Sequence, residues 1–383
     1  MEELRNIPFG KPVMGEPEQA AVLQVMAGGI LVHGPKTEEF EQSFAAWTGA
    51  PHAVAVSSCT AGMHLVYFAL GIGAGDEVIV PAQTHAATAH AVELAGARAV
   101  FVDAENATGN IDVDAIAAAV TPRTRAIAVV HYLGVPVDME AVNAVARHHG
   151  LLVVEDCALA VGTQIGGQHA GLSGDVGCFS FYPVKHMTTA EGGIVLTRDA
   201  ALAQKLKLLR AFGVDRHMGQ RATPGEYDVV ALGFNYRMSE IEAAIGIEQV
   251  KRLDGFLARR RANYRVLRVA LARLKSVELF STDGGESESA YCLSMLLPEE
   301  LAERRKDIIA SLKAQGVGTS IYYPRPVPAM TYYREKYGTR PGDFPVAERI
   351  SRCSIALPVG PHLAEDDMFY IAAAIERSLA QLG

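Results

Sequence analysis

Three short stretches carry residues whose types and placing suit chemistry. In CFSFYPVKHMTTAEGG (178–193), Lys185 stands between an apolar run and a glycine pair. A lysine in such a semi-apolar place has a depressed pKa and makes a good Schiff-base nucleophile, whereas the commonest fate of a lysine is an exposed loop. In VVEDCA, Asp156 closes an apolar run. An ionised carboxylate there needs a partner or a cation, and a cap on the next helix or a structural arginine also satisfies it. In VSSCTAGMHL (56–65), small and hydroxylated residues lead from a strand into a helix. Free backbone N–H groups, the helix dipole and the Thr60 hydroxyl suit an anion, although Ser58 or Thr60 acting only as an N-cap accounts for the same residues.

An anion site for a phosphate, a carboxylate that keeps a ring nitrogen protonated and a lysine for an imine are what pyridoxal phosphate requires. Asp156 then pairs with the pyridinium, and Lys185 first captures the aldehyde and later moves the proton between substrate and cofactor carbons.

The elements that must position these groups follow from hydrophobic patterning. Strands are expected at HAVAVSS (52–58), EVIVPA (77–82), ARAVFVDA (97–104), TRAIAVVHY (124–132), GLLVVEDCA (150–158), CFSFYP (178–183) and GGIVLTRD (192–199). Ala-rich helical stretches separate the first five. That pattern predicts an α/β fold with a mainly parallel seven-stranded sheet between helices, ligands binding at the strand ends. The last two strands have a short connection and are expected to pair differently. A long charged helix from Arg237 to about Leu274 leads to a smaller C-terminal α+β domain, which divides the chain into 1–250, with the N-terminal segment, and 251–383. The loop STDGGESESA (281–290) reads as polar and exposed.

The 383-residue chain is large enough for one or two domains. Its net charge of −8 argues against a nucleic-acid binder, yet local donors can still hold a phosphate inside an acidic protein. Cys59, Cys157, Cys178, Cys292 and Cys353 are scattered with neither CxxC nor zinc spacing, so free thiols in a reducing compartment and no metal are expected. The N-terminus lacks the apolar core of a signal peptide, and no apolar run reaches the roughly 18 residues of a membrane span. A cytoplasmic protein with no membrane partner is expected.

The chain also resembles the DegT/DnrJ/EryC1/StrS aminotransferases, pyridoxal-phosphate enzymes of fold type I that mostly act on keto sugars. The likeness runs from IPFGKP and GGILVHGPKTEEFE through GIGAGDEVIVPAQTHAATAHAV, VEDCALAVG and GDVGCFSFYPVKHMTTAEGG. It continues in LGFNYRMSEIEAAIG, GVGTSIYYPRPVP and ALPVGPHL. The resemblance implies Lys185 as the Schiff-base lysine, Asp156 under the ring nitrogen and His85 over the ring, a buried structural histidine being the rival reading of His85. It implies that the backbone of Thr60 and Ala61 and the Ser180 hydroxyl hold the phosphate. Asn235 is expected to reach the phosphate of the other subunit, which makes a homodimer with shared active sites. One departure is Leu159, where the family usually has a Gln that donates to the phenolic oxygen. Related dehydratases carry His in place of the lysine; counting back from Glu191-Gly192-Gly193, this chain has Lys185, and His186 is only its neighbour.

The implied reaction moves an amino group from L-glutamate to a keto sugar, through the pyridoxamine phosphate form. The sugar is most often a nucleotide-linked 4-keto-6-deoxy hexose. His186, Tyr322 and Tyr323 are the candidates near substrate, with packing at a strand end or a plain loop place as the other readings. A cyclitol or other non-nucleotide ketone leaves the cofactor site unchanged, and a silent scaffold on the same fold is the reading of another class.

Overall fold

The computed structural model describes residues 4–215, 223, 225–282 and 287–381. Helices α1 (Glu16–Gly28) and α2 (Pro35–Thr48) come first. Strands and helices then alternate: β1 (His52–Val56), α3 (Cys59–Ala69), β2 (Glu77–Pro81), α4 (Ala86–Leu94), β3 (Arg98–Val102), α5 (Val113–Ala119), β4 (Thr124–Val130), α6 (Met139–His149) and β5 (Leu152–Asp156). A small ribbon, β6 (Gln164–Ile165) and β7 (Gln168–His169), precedes β8 (Val176–Ser180) and β9 (Gly193–Thr197). Helix α7 (Ala200–Leu209) and the 32-residue α8 (Glu240–Leu271) follow.

All seven expected strands join one sheet in the order β1-β9-β8-β5-β4-β2-β3. The pairs β2–β3, β2–β4, β4–β5 and β5–β8 are parallel, while β9 runs antiparallel to both β8 and β1. The short connection between β8 and β9 dictates this, because only an antiparallel pair closes without a long crossover. Both faces are covered. Val54, Val80, Ala128, Val154 and Val195 pack with Met63 and Leu65 of α3, while Ala55, Ile194 and Leu196 pack with Phe40 and Phe44 of α2 and Ile247 of α8. Glycines permit the close approaches that set the site. A Cβ on Gly193 would lie 2.5 Å from the Cys59 nitrogen, and one on Gly62 would lie 2.9 Å from Val195. The start of α3 therefore rests directly on β9.

The helix α8 begins later than expected, at Glu240, because Ser239 and Glu242 close a capping box there: the Glu242 N–H donates to Ser239 Oγ at 3.2 Å and the Ser239 N–H to Glu242 Oε2 at 2.7 Å. Its first half, with Ala243, Ile247, Val250 and Leu257, belongs to the core beneath the large sheet. Its second half, with Tyr264, Leu267 and Leu271, belongs to another core. That core is built around the antiparallel sheet of β10 (Glu278–Leu279), β11 (Leu293–Leu296) and β12 (Ser354–Leu357). The helices of this part are α9 (Arg305–Ala314), α10 (Thr331–Tyr337), α11 (Pro345–Cys353) and α12 (Glu365–Ala380). Ile7 from the N-terminal segment also enters this core, its N–H donating to Gly316 O at 2.8 Å.

The 281–290 loop departs from the exposed polar loop its composition suggests. Residues 283–286 lie outside the described residues, but Glu288, Ser289 and Ala290 are buried. The Ser289 hydroxyl donates to Leu159 O at 2.8 Å, which ties the segment against the end of the large sheet. Among the described residues, no helix is long and apolar enough to cross a membrane.

Candidate active site

The carboxyl ends of β1, β5 and β8 and the loop after β2 converge on a cavity of about 260 Å³. Ser58, Thr60, His85, Asp156, Ser180 and Lys185 line it, together with Leu159 and Tyr323.

Asp156, the last residue of β5, is buried in the middle of the parallel sheet, opposite Val130 on one side and Cys178 on the other. Its Oδ2 accepts from Thr88 Oγ1 at 2.7 Å, and its Oδ1 accepts from the Ala158 N–H at 3.0 Å. Thr88 has one hydroxyl proton and gives it to the carboxylate, so Thr84, 2.7 Å from Thr88 Oγ1, is the donor in that pair. No lysine or arginine among the described residues forms an ion pair with Asp156, so the structural-arginine alternative falls. The carboxylate is held by dipoles and left open to a cation from the cavity.

Lys185 sits in the turn after β8, its N–H donating to Tyr182 O at 2.9 Å. β8 ends at Ser180, earlier than the apolar run suggests, because this turn takes over. Burial is the leading cause that lowers the amine below its ordinary value of 10.5, and the charge of Asp156 opposes that shift. The Nζ lies 5.4 Å from the ring centroid of Tyr291. Behind the turn, Arg260 of α8 donates to Tyr291 O at 2.9 Å and to Lys185 O at 3.4 Å, fixing the backbone that carries the amine.

The start of α3 shows which amides are free for an anion. Ser58 is its N-cap, and its Oγ accepts from the Ala61 N–H at 3.1 Å. Of the two amides expected at the phosphate, that of Ala61 serves the cap, and Ala61 does not line the cavity, whereas Ser58, Cys59 and Thr60 do. Ser180 lines the opposite wall, with the Tyr182 N–H 3.5 Å from its Oγ.

His85 is the N-cap of α4 and accepts from the Ala87 N–H through Nδ1 at 3.1 Å, which leaves Nε2 as the donor of the neutral ring. The residue is exposed and lines the cavity, so it is not a buried structural histidine. Although the residue is open to solvent at the cavity, the protein packed around the ring desolvates it, the main cause that lowers its pKa; Asp156 opposes that and Lys185 adds to it.

The three substrate candidates separate. Tyr323 lines the cavity, 5.6 Å from the His85 ring, and burial raises its phenol well above the ordinary range, so it stays a donor. Tyr322 points elsewhere: its OH is 2.7 Å from Tyr291 OH, and its carbonyl accepts from Gln83 at 3.0 Å and from Tyr132. His186 lies apart from the cavity. It is 2% exposed and does not line the cavity; neither ring nitrogen has a well-aligned partner, although the Ser289 backbone is near. Burial, then Arg260 and Lys185, pushes its pKa well down, so it is a neutral ring packed against Tyr291. Asn235 is exposed and outside the cavity of its own chain, in an antiparallel bridge with Ala211. Thr88 was missed from the sequence; the spacing of Thr84 and Thr88 in THAATAH, one helical turn apart, is the signal that could have found it.

The sequence profile of the DegT/DnrJ/EryC1/StrS aminotransferase family matches residues 12–376. Solved structures agree along the whole chain. The sugar aminotransferase CalS13 from Micromonospora echinospora is 32% identical, with a TM-score of 0.88 over 97% of this chain and 99% of that one. Helicobacter pylori PseC, an aminotransferase involved in the biosynthesis of pseudoaminic acid, is 26% identical, with a TM-score of 0.92 over 98% and 100%. Spr1654 from Streptococcus pneumoniae in its PLP form is 27% identical, with a TM-score of 0.91 over 99% and 100%.

The architecture is thus that of a fold-type-I aminotransferase. The donor set fits pyridoxal phosphate: a lysine amine, a carboxylate without a cationic partner, and a hydroxyl-rich helix start open to one shared cavity. At Leu159 the wall is apolar, so that residue offers the cofactor no side-chain donor.

Proposed function

The chain belongs to the DegT/DnrJ/EryC1/StrS aminotransferase family, sugar aminotransferases that use pyridoxal phosphate, and on that premise we propose that it transfers the amino group of L-glutamate to a nucleotide-linked 4-keto-6-deoxy hexose. The observation that carries the reading is the meeting of Lys185 and Asp156 in one cavity with the start of α3.

When bound, pyridoxal phosphate supplies an aldehyde for a lysine to capture and a protonated ring that takes up negative charge from the substrate carbon. The amine of Lys185, lowered by burial, is the nucleophile that would hold the aldehyde, and its Nζ would take the proton from the glutamate carbon and give one to the carbon of the sugar. Asp156, oriented by Thr88 and the Ala158 amide, would hold the proton on the ring nitrogen. Thr60, Ser180 and the positive end of α3 would bind the phosphate. His85 walls one side, and the Tyr323 hydroxyl donates toward substrate.

A homodimer completes the site in this reading. Asn235 is exposed beside Phe212, Tyr227, Val229, Val230 and Leu232, a run of exposed apolar side chains that supports burial against a second copy and an Asn235 contact with the partner's phosphate. The test is Lys185→Ala. Formation of 2-oxoglutarate from glutamate by the variant falls to background while the cofactor stays weakly bound; full activity in the variant would refute the assignment.

A further inference from the structure

A second concavity, a groove of about 390 Å³, is lined by the residues that follow Tyr322–Tyr323 in the chain. Five arginines line it, Arg305, Arg325, Arg334, Arg340 and Arg352, against a single carboxylate, Glu348. This is an unusual place in a protein of net charge −8. Arg352 is paired with Glu299 at 2.6 Å, and Glu348 Oε1 accepts from the Gly342 N–H at 2.8 Å. Among the described residues the other four guanidiniums have no carboxylate partner.

Arg305 is the fixed member. Half-buried, it donates through Nη1 to the Ser351 carbonyl and to Ser354 O at 3.3 Å, which holds the fork in place while its other nitrogens remain unpaired. Arg325, Arg334 and Arg340 are exposed around it. Gathering like charges is unfavourable unless an anion joins them, and the planar guanidinium fork matches phosphate oxygens in pairs. Pro324, Pro326, Pro341 and Phe344 give the groove an apolar side, which suits a nucleoside.

Consecutive residues of one segment serve the cofactor cavity and the groove. Tyr323 lines the cavity, and the next residues in the chain, Pro324 and Arg325, line the groove. Ser351 in the groove donates to Gln83 Oε1 at 3.2 Å, and Gln83 donates in turn to Tyr322 O. Tyr323, in the cavity with Lys185, and Arg325, in the groove, are two residues apart in the chain.

We infer that the arginine groove binds the diphosphate of a nucleotide. Naming the nucleotide as the tail of the keto-sugar substrate rests on the reading above; the anion site rests only on the groove's own residues.

The experiment uses cofactor-loaded wild-type protein and the variant Arg334→Gln/Arg340→Gln, both residues being exposed and outside any ion pair. Calorimetric titrations with uridine diphosphate, thymidine diphosphate, inorganic diphosphate and uridine are compared at low and high salt. The wild type binds the diphosphates, more weakly as salt rises, and does not bind uridine; the double variant binds at least about tenfold more weakly. Inhibition that is competitive with a nucleotide-linked keto sugar assigns the site to the substrate's tail, and non-competitive inhibition assigns it to a free nucleotide. Either result supports the groove as an anion site. Absence of diphosphate binding by the wild type overturns it, as does an unchanged double variant or an equal loss in Arg304→Gln, which pairs with Asp307 away from the groove. The transaminase reading fails separately, if glutamate does not bleach the visible band of the loaded wild-type enzyme.

Discussion

The hydroxyl of Thr88, in the first turn of α4, donates at 2.7 Å to Oδ2 of Asp156 at the end of β5. Two elements far apart in the chain thereby fix the direction of one carboxylate. Thr88→Val removes that donor from a buried charged acceptor, a loss of about 1–3 kcal/mol. The expected outcome is roughly tenfold weaker cofactor binding and a shifted absorption band, with Thr88→Ser close to wild type. Equal binding by the valine variant would show that the carboxylate needs no such guide.

The lowered pKa of Lys185 sets a pH dependence. Only the neutral amine attacks an aldehyde, so capture of pyridoxal phosphate by the apoprotein speeds up as pH rises. Burial places the amine below 10.5, and the rate therefore levels off before that pH. Stopped-flow measurement of the visible band between neutral and alkaline pH checks this; a rate still climbing at 10.5 means an ordinary lysine.

Tyr322 and Tyr323 are neighbours with opposite roles. Tyr323→Phe leaves the folded state nearly unchanged, since the residue lines the cavity and its hydroxyl has no hydrogen-bond partner among the described residues, and raises KM for the sugar. Tyr322→Phe breaks the 2.7 Å contact with Tyr291, with a cost of about 1 kcal/mol in denaturant unfolding and little change in KM. Steady-state kinetics and urea titration of both variants separate the two, and swapped effects would reverse the assignment.

Glu155, next to the catalytic candidate but turned into the core, accepts from His131 Nε2 at 2.9 Å and from the N–H groups of Gly171, Ser173 and Gly174 at 2.6–2.8 Å. Burial alone raises its pKa; the bonds from His131 and the backbone outweigh burial and hold it below 4.5. A carboxyl depressed in the folded state adds stability that is complete above its unfolded value and is lost as pH falls through the folded one. Glu155→Gln is expected to cost about 2–4 kcal/mol at neutral pH. The gap to wild type narrows below pH 4.5. Urea denaturation across that range reads the gap, and a pH-independent gap would contradict the charge argument.

Much of this was legible in the sequence because its signals are local. Seven apolar runs became seven strands, and the short link between the last two announced their antiparallel pairing. Lys185 and Asp156 stood out because a charged residue at the end of an apolar run is conspicuous. What escaped depends on direction in space. The Ala61 amide turned back to Ser58, His186 turned inward while its neighbour Lys185 reached the cavity, and the polar stretch at 288–290 was drawn under the sheet by Ser289. None of these is a matter of composition; each is settled by which side of a turn faces the core.

The helix α8 serves two hydrophobic cores with one unbroken rod, and Arg260 projects from it to grip the carbonyls of Lys185 and Tyr291. The two halves of the molecule consequently cannot swivel on a slack tether. Any tilt of the C-terminal half must bend this shaft or carry it along, and the shaft is clamped to the very loop that presents the amine.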